Sequence, residues 1–190
     1  MRDGAARLLA DASEWRLLGL LLECPSAMWR SQVSLLANQV GESQLRTIAE
    51  TALAQASEAS YYTVTGPGGP FPMREVSYRD ALTSGQLLGE LGAYFRAFGY
   101  APETAEPPDH LAVEAGFVAY LRMKEAYALS CGEQDHAEVA AKASQSFIAD
   151  HLQPVAEFMV RARLTSSDDY LAQTVSALCR RVGVSIEPVK

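Results

Sequence analysis

The chain has 190 residues, 48% hydrophobic and 21% charged, with 16 Lys and Arg against 23 Asp and Glu for a net charge of -7. That balance excludes wholesale disorder and lets one domain fold without disulfides or a structural metal. Residues 100–150 alone hold 3 basic and 9 acidic side chains, a net of -6, the wrong sign for a general nucleic-acid binder; a cationic peptide or basic protein surface fits better, with a plain solvated helix face as the alternative.

Along the chain, Leu8, Leu9, Ala12, Trp15, Leu18 and Leu22 step at three and four residues and predict a first helix ending near Cys24-Pro25. Arg2 and Arg7 precede the apolar run 17–22, but Asp11, Glu14 and Arg16 interrupt any signal-peptide core, and six residues cannot span a bilayer. A cytoplasmic protein is expected. Trp29, Val33, Leu36 and Val40 predict a second helix stopped by Gly41, and Leu45, Ile48, Ala49, Ala52, Leu53 and Ala56 a third. Tyr61 to Thr65 has strand-like composition without partner strands, so it reads as an extended lead into the Gly/Pro-rich loop 66–72. That loop lacks the Gly-Lys-Ser/Thr ending of a phosphate-binding loop.

Helical spacing returns at Leu87, Leu91, Tyr94, Phe95 and Phe98 and stops at Gly99. After the proline-punctuated stretch 100–108, a long helix is expected from Asp109 through Leu111, Phe117, Val118 and Leu121. Another runs from about Glu133 through Phe147 and Leu152, where Pro154 should kink or restart it, and a last one from Asp168 to Val182. The expected fold is an all-α, single-domain helical bundle over residues 1–190, with loops near 61–75 and 99–108. Cys24, Cys131 and Cys179 are scattered, which points to reduced, mostly buried thiols.

Chemistry-bearing patterns are few. Glu133 and His136 have the Glu-x-x-His spacing of di-iron bundles, but a second such motif is absent. The more informative stretch is Glu106-Pro107-Pro108-Asp109-His110-Leu111-Ala112-Val113-Glu114. Its prolines hold the approach extended, Asp109 is placed to cap the following helix, and His110 and Glu114, four apart, can hydrogen-bond on one face. Unless protonated or internally paired, Glu106, Asp109 and Glu114 would form an anionic pocket beside Tyr94, Phe95 and Phe98.

These residues resemble the TorD/DmsD/NarJ group of redox-enzyme maturation chaperones, whose mark is a Glu-Pro-x-Asp-His-Leu-x-x-Glu segment after an aromatic helix ending in Gly. Tyr94-x3-Phe98-Gly99, Phe147-x3-His151-Leu152 and Pro72-Met73-Arg74-Glu75-Val76-Ser77-Tyr78 match further patches of that family, with Met73 and Ser77 where aromatics are common and Val155 where a Trp is frequent. The resemblance implies a cytoplasmic, all-helical, non-enzymatic chaperone without a cofactor or metal of its own. Its partners would be the immature catalytic subunit of a molybdopterin oxidoreductase and that subunit's twin-arginine signal peptide, with no nucleic acid and no membrane insertion. Pro107, Asp109 and His110 would recognise the peptide, with Glu106 and Glu114 supporting, while Tyr94, Phe98, Met73 and Tyr78 would receive its apolar part. Two alternatives stand beside it: a helical metalloprotein or enzyme using Glu133 and His136, and a helix-binding adaptor without an export role. Monomer and helix-swapped dimer are both compatible with the sequence.

Overall fold

In a computed structural model, residues 2–79, 83–162 and 169–186 are described. Their helices are α1 (Arg2–Leu22), α2 (Ala27–Ala37), α3 (Ser43–Gln55), α4 (Glu58–Thr65), α5 (Ser84–Phe98), α6 (Leu111–Cys131), α7 (Gln134–Phe147), α8 (Gln153–Arg161) and α9 (Tyr170–Arg181). A 3-10 turn covers Glu75–Tyr78 and a π turn Ile148–Leu152. Among the described residues no strand forms, and Arg74 and His110 make an isolated antiparallel bridge. The expected all-α class holds.

The bundle is built around α6, whose residues 111–119 are all buried. A helix apolar on every side belongs in the middle. Its main partner is α1, and α7 packs beside it. The two long helices approach closely because small residues face each other: a Cβ added at Gly19 would lie 3.0 Å from the Ala112 carbonyl oxygen. On the outside, α9 packs on α1, α3 and α8. Arg181 of α9 binds Asp11, Glu14 (2.9 Å) and Glu42 (3.2 Å) and lies over the Trp15 ring. An aromatic cluster fills the other side of α6, with Phe117 touching the rings of Phe95, Tyr100 and Phe147 at 4.8–5.2 Å.

Three local expectations change. Tyr61 to Thr65 is helical: Ser57 and Ser60 form a capping box that starts α4, and Tyr61 is buried with its hydroxyl donating to the Leu22 carbonyl at 3.0 Å. Capping and burial together outweigh the weak strand preference of β-branched and aromatic residues. The second helix stops at Ala37, ahead of Val40 and Gly41. Cys131 is exposed at the end of α6, whereas Cys179 is buried and Cys24 half-buried. Pro154 does restart the helix, sitting in the first turn of α8 directly after the π turn, where its fixed φ suits the helical backbone. The expected start of the last helix at Asp168 lies outside the described residues, and Asp169 caps α9 by accepting from the Ala172 N–H at 2.9 Å.

Candidate functional site: a buried polar junction beside an open groove

The segment 71–79 lies as a strap across the start of α6. Its backbone is tied there by Leu111 N–H donating to the Met73 carbonyl (2.9 Å) and Glu75 N–H donating to the Asp109 carbonyl (2.8 Å). Phe71, Met73, Glu75 and Tyr78 are buried. Met73 and Tyr78 therefore serve the core in this conformation, with Tyr78 donating to the Pro72 carbonyl at 2.6 Å and packing edge-on against Phe158.

Asp109 does not cap α6. It is fully buried and receives a bidentate bond from the Arg74 guanidinium at 2.7–3.1 Å. The cap is His110, whose Nδ1 accepts from the Ala112 N–H at 3.2 Å. A lone pair on Nδ1 puts the proton of the neutral ring on Nε2, which faces the Tyr61 hydroxyl at 3.2 Å and Glu106 at 3.7 Å. His110 is 4% exposed. Burial pushes its pKa down to about 4, with Asp109 opposing and Arg74 assisting. The expected His110–Glu114 pair does not form, because the cap turns the imidazole back toward Tyr61.

Glu114 points instead at Glu75. It is fully buried, and neither carboxyl oxygen has a hydrogen-bond donor. Burial raises its pKa well above the usual carboxylate value, and the neighbouring Glu75 and Asp109 carboxylates add to the rise. Its place in the first turn of α6 favours a negative charge by about 0.5–1 kcal/mol, but burying an unpaired carboxylate costs several times more. Glu75, also fully buried, accepts from Arg79 at 2.8 Å and faces His151 Nδ1 at 3.0 Å. Burial works to raise the Glu75 carboxyl, but the hydrogen bond and charge of His151, then those of Arg79, hold it below its usual value. Arg79 also donates to the Asp150 carbonyl in the π turn. His151 stacks near Phe147 (4.6 Å) and meets the edge of Tyr94 (5.7 Å).

The patches noted in the sequence thus meet at one junction. The strap supplies Arg74, Glu75 and Arg79, the start of α6 supplies Asp109 and Glu114, the π turn His151 and α5 Tyr94. Glu75, Arg74 and Arg79 had no assigned role in the sequence reading, although charges inside an apolar run such as 71–78 signal buried pairing. The expected open anionic pocket is not formed: Asp109 is paired, Glu114 is buried, and Glu106 is half-buried with a pKa raised by burial and by Glu23. Pro107 is half-buried and its carbonyl accepts from the His110 N–H at 2.9 Å. Tyr94 and Phe98 are half-buried against Phe117, each with ring centroids 6.2 Å away.

An open concavity lies on other residues. A groove of about 360 Å³ runs between α1, α6 and the turn 100–104. Ala112, Val113, Gly116 and Ala119 line it beneath Tyr100 and Tyr120. A Cβ at Gly116 would stand 2.7 Å from the Tyr100 hydroxyl, so a larger residue there would push that ring aside. Leu9 and Met123, 50% and 47% exposed, stand at the groove, and the Arg16–Glu23 ion pair and Glu103 supply its charges. Glu133 and His136 pair at 3.0 Å on an exposed turn. Among the described residues, no three His, Cys, Asp or Glu side chains are grouped to hold a metal. No helix described is long and apolar enough to cross a membrane.

Comparison with known proteins gives a consistent picture. The fold is similar to that of a protein assigned as a redox enzyme maturation protein from Archaeoglobus fulgidus, with a TM-score of 0.58 at 17% identity over 90% of this chain and 93% of that one. No curated protein sequence matches significantly. The profile of the nitrate reductase delta subunit family matches residues 30–160, a span that contains the strap, the start of α6 and the π turn, and the chain therefore belongs to that family of NarJ/TorD-type chaperones.

Proposed function

We propose that this protein is a non-enzymatic, cytoplasmic maturation chaperone for the catalytic subunit of a molybdenum-dependent oxidoreductase. It holds the subunit through its leader and folded body until the molybdopterin cofactor is in place. The observation that carries the reading is the groove between α1, α6 and the turn 100–104, an apolar trough of about 360 Å³ on an otherwise acidic stretch of the chain. An apolar leader segment would bury against Leu9, Tyr100, Tyr120 and Met123, and its arginines would meet Glu103 and the half-buried Glu106. Met123 suits a surface that accommodates varied apolar sequence. Asp109 and His110 take part from beneath, by fixing the turn that carries Glu106, and Asp109 meets an arginine directly only after Arg74 leaves it.

The test is titration of the purified protein with a peptide carrying an Arg-Arg pair followed by an apolar segment, against a scrambled control. Binding should weaken as salt rises, because its steering charges are exposed. Leu9→Glu with Met123→Lys should lower affinity at least about tenfold, the equivalent of 1.4 kcal/mol, with the melting temperature unchanged. Unaltered affinity in that double variant would remove the groove from the reading.

A further inference from the structure

The junction described above holds an arrangement that ordinary ion pairing does not explain. Two fully buried carboxyl groups, Glu75 from the strap and Glu114 from α6, act on each other at the junction where the Glu75 N–H is tied to the Asp109 carbonyl at 2.8 Å. Two carboxylates are both acceptors, so no bond joins them unless one carries a proton. Glu75 already has its partners, Arg79 at 2.8 Å and His151 at 3.0 Å. Glu114 has none, and both of its oxygens are orphaned. The remaining nearby charges are spoken for: Arg74 is bidentate on Asp109, and Arg79 is shared between Glu75 and the Asp150 carbonyl. Tyr94 of α5 meets the His151 ring edge-on and brings no charge. A buried carboxylate without a hydrogen-bond donor is the costly state, and adding one proton removes its charge and gives Glu114 a donor to turn toward Glu75.

We propose that Glu75 and Glu114 share a single proton at neutral pH, so that Glu114 acts as a neutral hydrogen-bond donor pinning the strap 71–79 onto the start of α6. Glu114 is then a positioning residue for the whole junction. It holds Glu75, whose own N–H binds the Asp109 carbonyl, next to Met73, whose carbonyl holds the Leu111 N–H. Loss of the proton sets two negative charges against each other beneath the strap and frees the backbone of both segments. This role does not depend on the chaperone reading, since it concerns how the strap is held, whatever binds above it.

The proton can be seen directly. Infrared spectra of the intact protein in heavy water at about pH 7.5 should show a protonated-carboxyl C=O band, well above the ordinary carboxyl pKa, and the band should vanish in Glu114→Gln. Hydrogen exchange then tests the positioning role. The Glu75 and Leu111 amides should remain protected in Glu114→Gln, whose amide can still donate to Glu75, and should lose at least about tenfold in protection in Glu114→Ala. Raising the pH should speed exchange at these two amides beyond the intrinsic base-catalysed rate in the wild type and not in Glu114→Gln. Absence of the band in the wild type, its persistence in Glu114→Gln, or equal pH acceleration in the two proteins overturns the proposal. Should Glu114→Ala fail to fold, the band and the wild-type against Glu114→Gln comparison decide alone.

Discussion

Acidifying a solution of this protein should expose the cost of keeping His110 neutral, and the size of the effect follows from its surroundings. The ring is 4% exposed, its Nδ1 caps α6 through the Ala112 N–H, and burial pushes its pKa from 6.5 to about 4. The folded state therefore resists a proton that the unfolded chain accepts readily. Stability from this group is intact above the unfolded pKa and is lost as pH falls from about 6.5 toward 4. A shift of about 2.5 units at 1.36 kcal/mol per unit gives a loss of about 2 kcal/mol at pH 5 and about 3 kcal/mol at pH 4. The assay compares the wild type with His110→Asn by denaturant unfolding at a series of pH values. Asparagine can still accept from Ala112 N–H as a helix cap but has no titration in this range. The stability difference between the two proteins should move by those amounts as pH drops, the acid-sensitive carboxylates being common to both. A constant difference from pH 7.5 to 4.5, or a His110 resonance titrating near 6.5 in the folded protein, would refute the reasoning.

Replacing Arg74 by Ala strips the countercharge from fully buried Asp109 and should cost about 2–4 kcal/mol, discounted because the guanidinium is partly exposed; Asp109→Asn in the same background should recover part of it in unfolding titrations. At the contact between α1 and α6, Gly19→Ala brings a methyl to 3.0 Å from the Ala112 carbonyl oxygen and should cost about 1–3 kcal/mol. Gly4→Ala in the same helix meets nothing within 4 Å and should raise the melting temperature slightly, since alanine favours helix by up to about 1 kcal/mol over glycine. Opposite signs from two identical substitutions in one helix separate packing from propensity.

The amino-acid sequence by itself determined the class of fold and most of its elements. Apolar residues at three- and four-residue spacing locate α1, α3, α5 and α6, and Gly99 ends α5 in a left-handed conformation, because these signals act between neighbours in the chain. The same locality made the patches 72–78, 94–99, 106–114 and 147–152 recognisable one at a time. Only the tertiary structure decided what their side chains do. Asp109 looked like a cap because it stands ahead of the helix, yet its partner Arg74 is 35 residues away and draws it aside, which leaves the cap to His110. Glu114 looked like the partner of His110 four residues before it, yet it faces Glu75, which is itself held by His151 76 residues further on. Buried charge chooses its partner by distance in space and by the cost of remaining unpaired, and neither quantity is written in spacing along the chain. The groove has the same origin: Leu9, Tyr100, Gly116 and Met123 belong to three separate segments and form a surface only when α1 and α6 have packed.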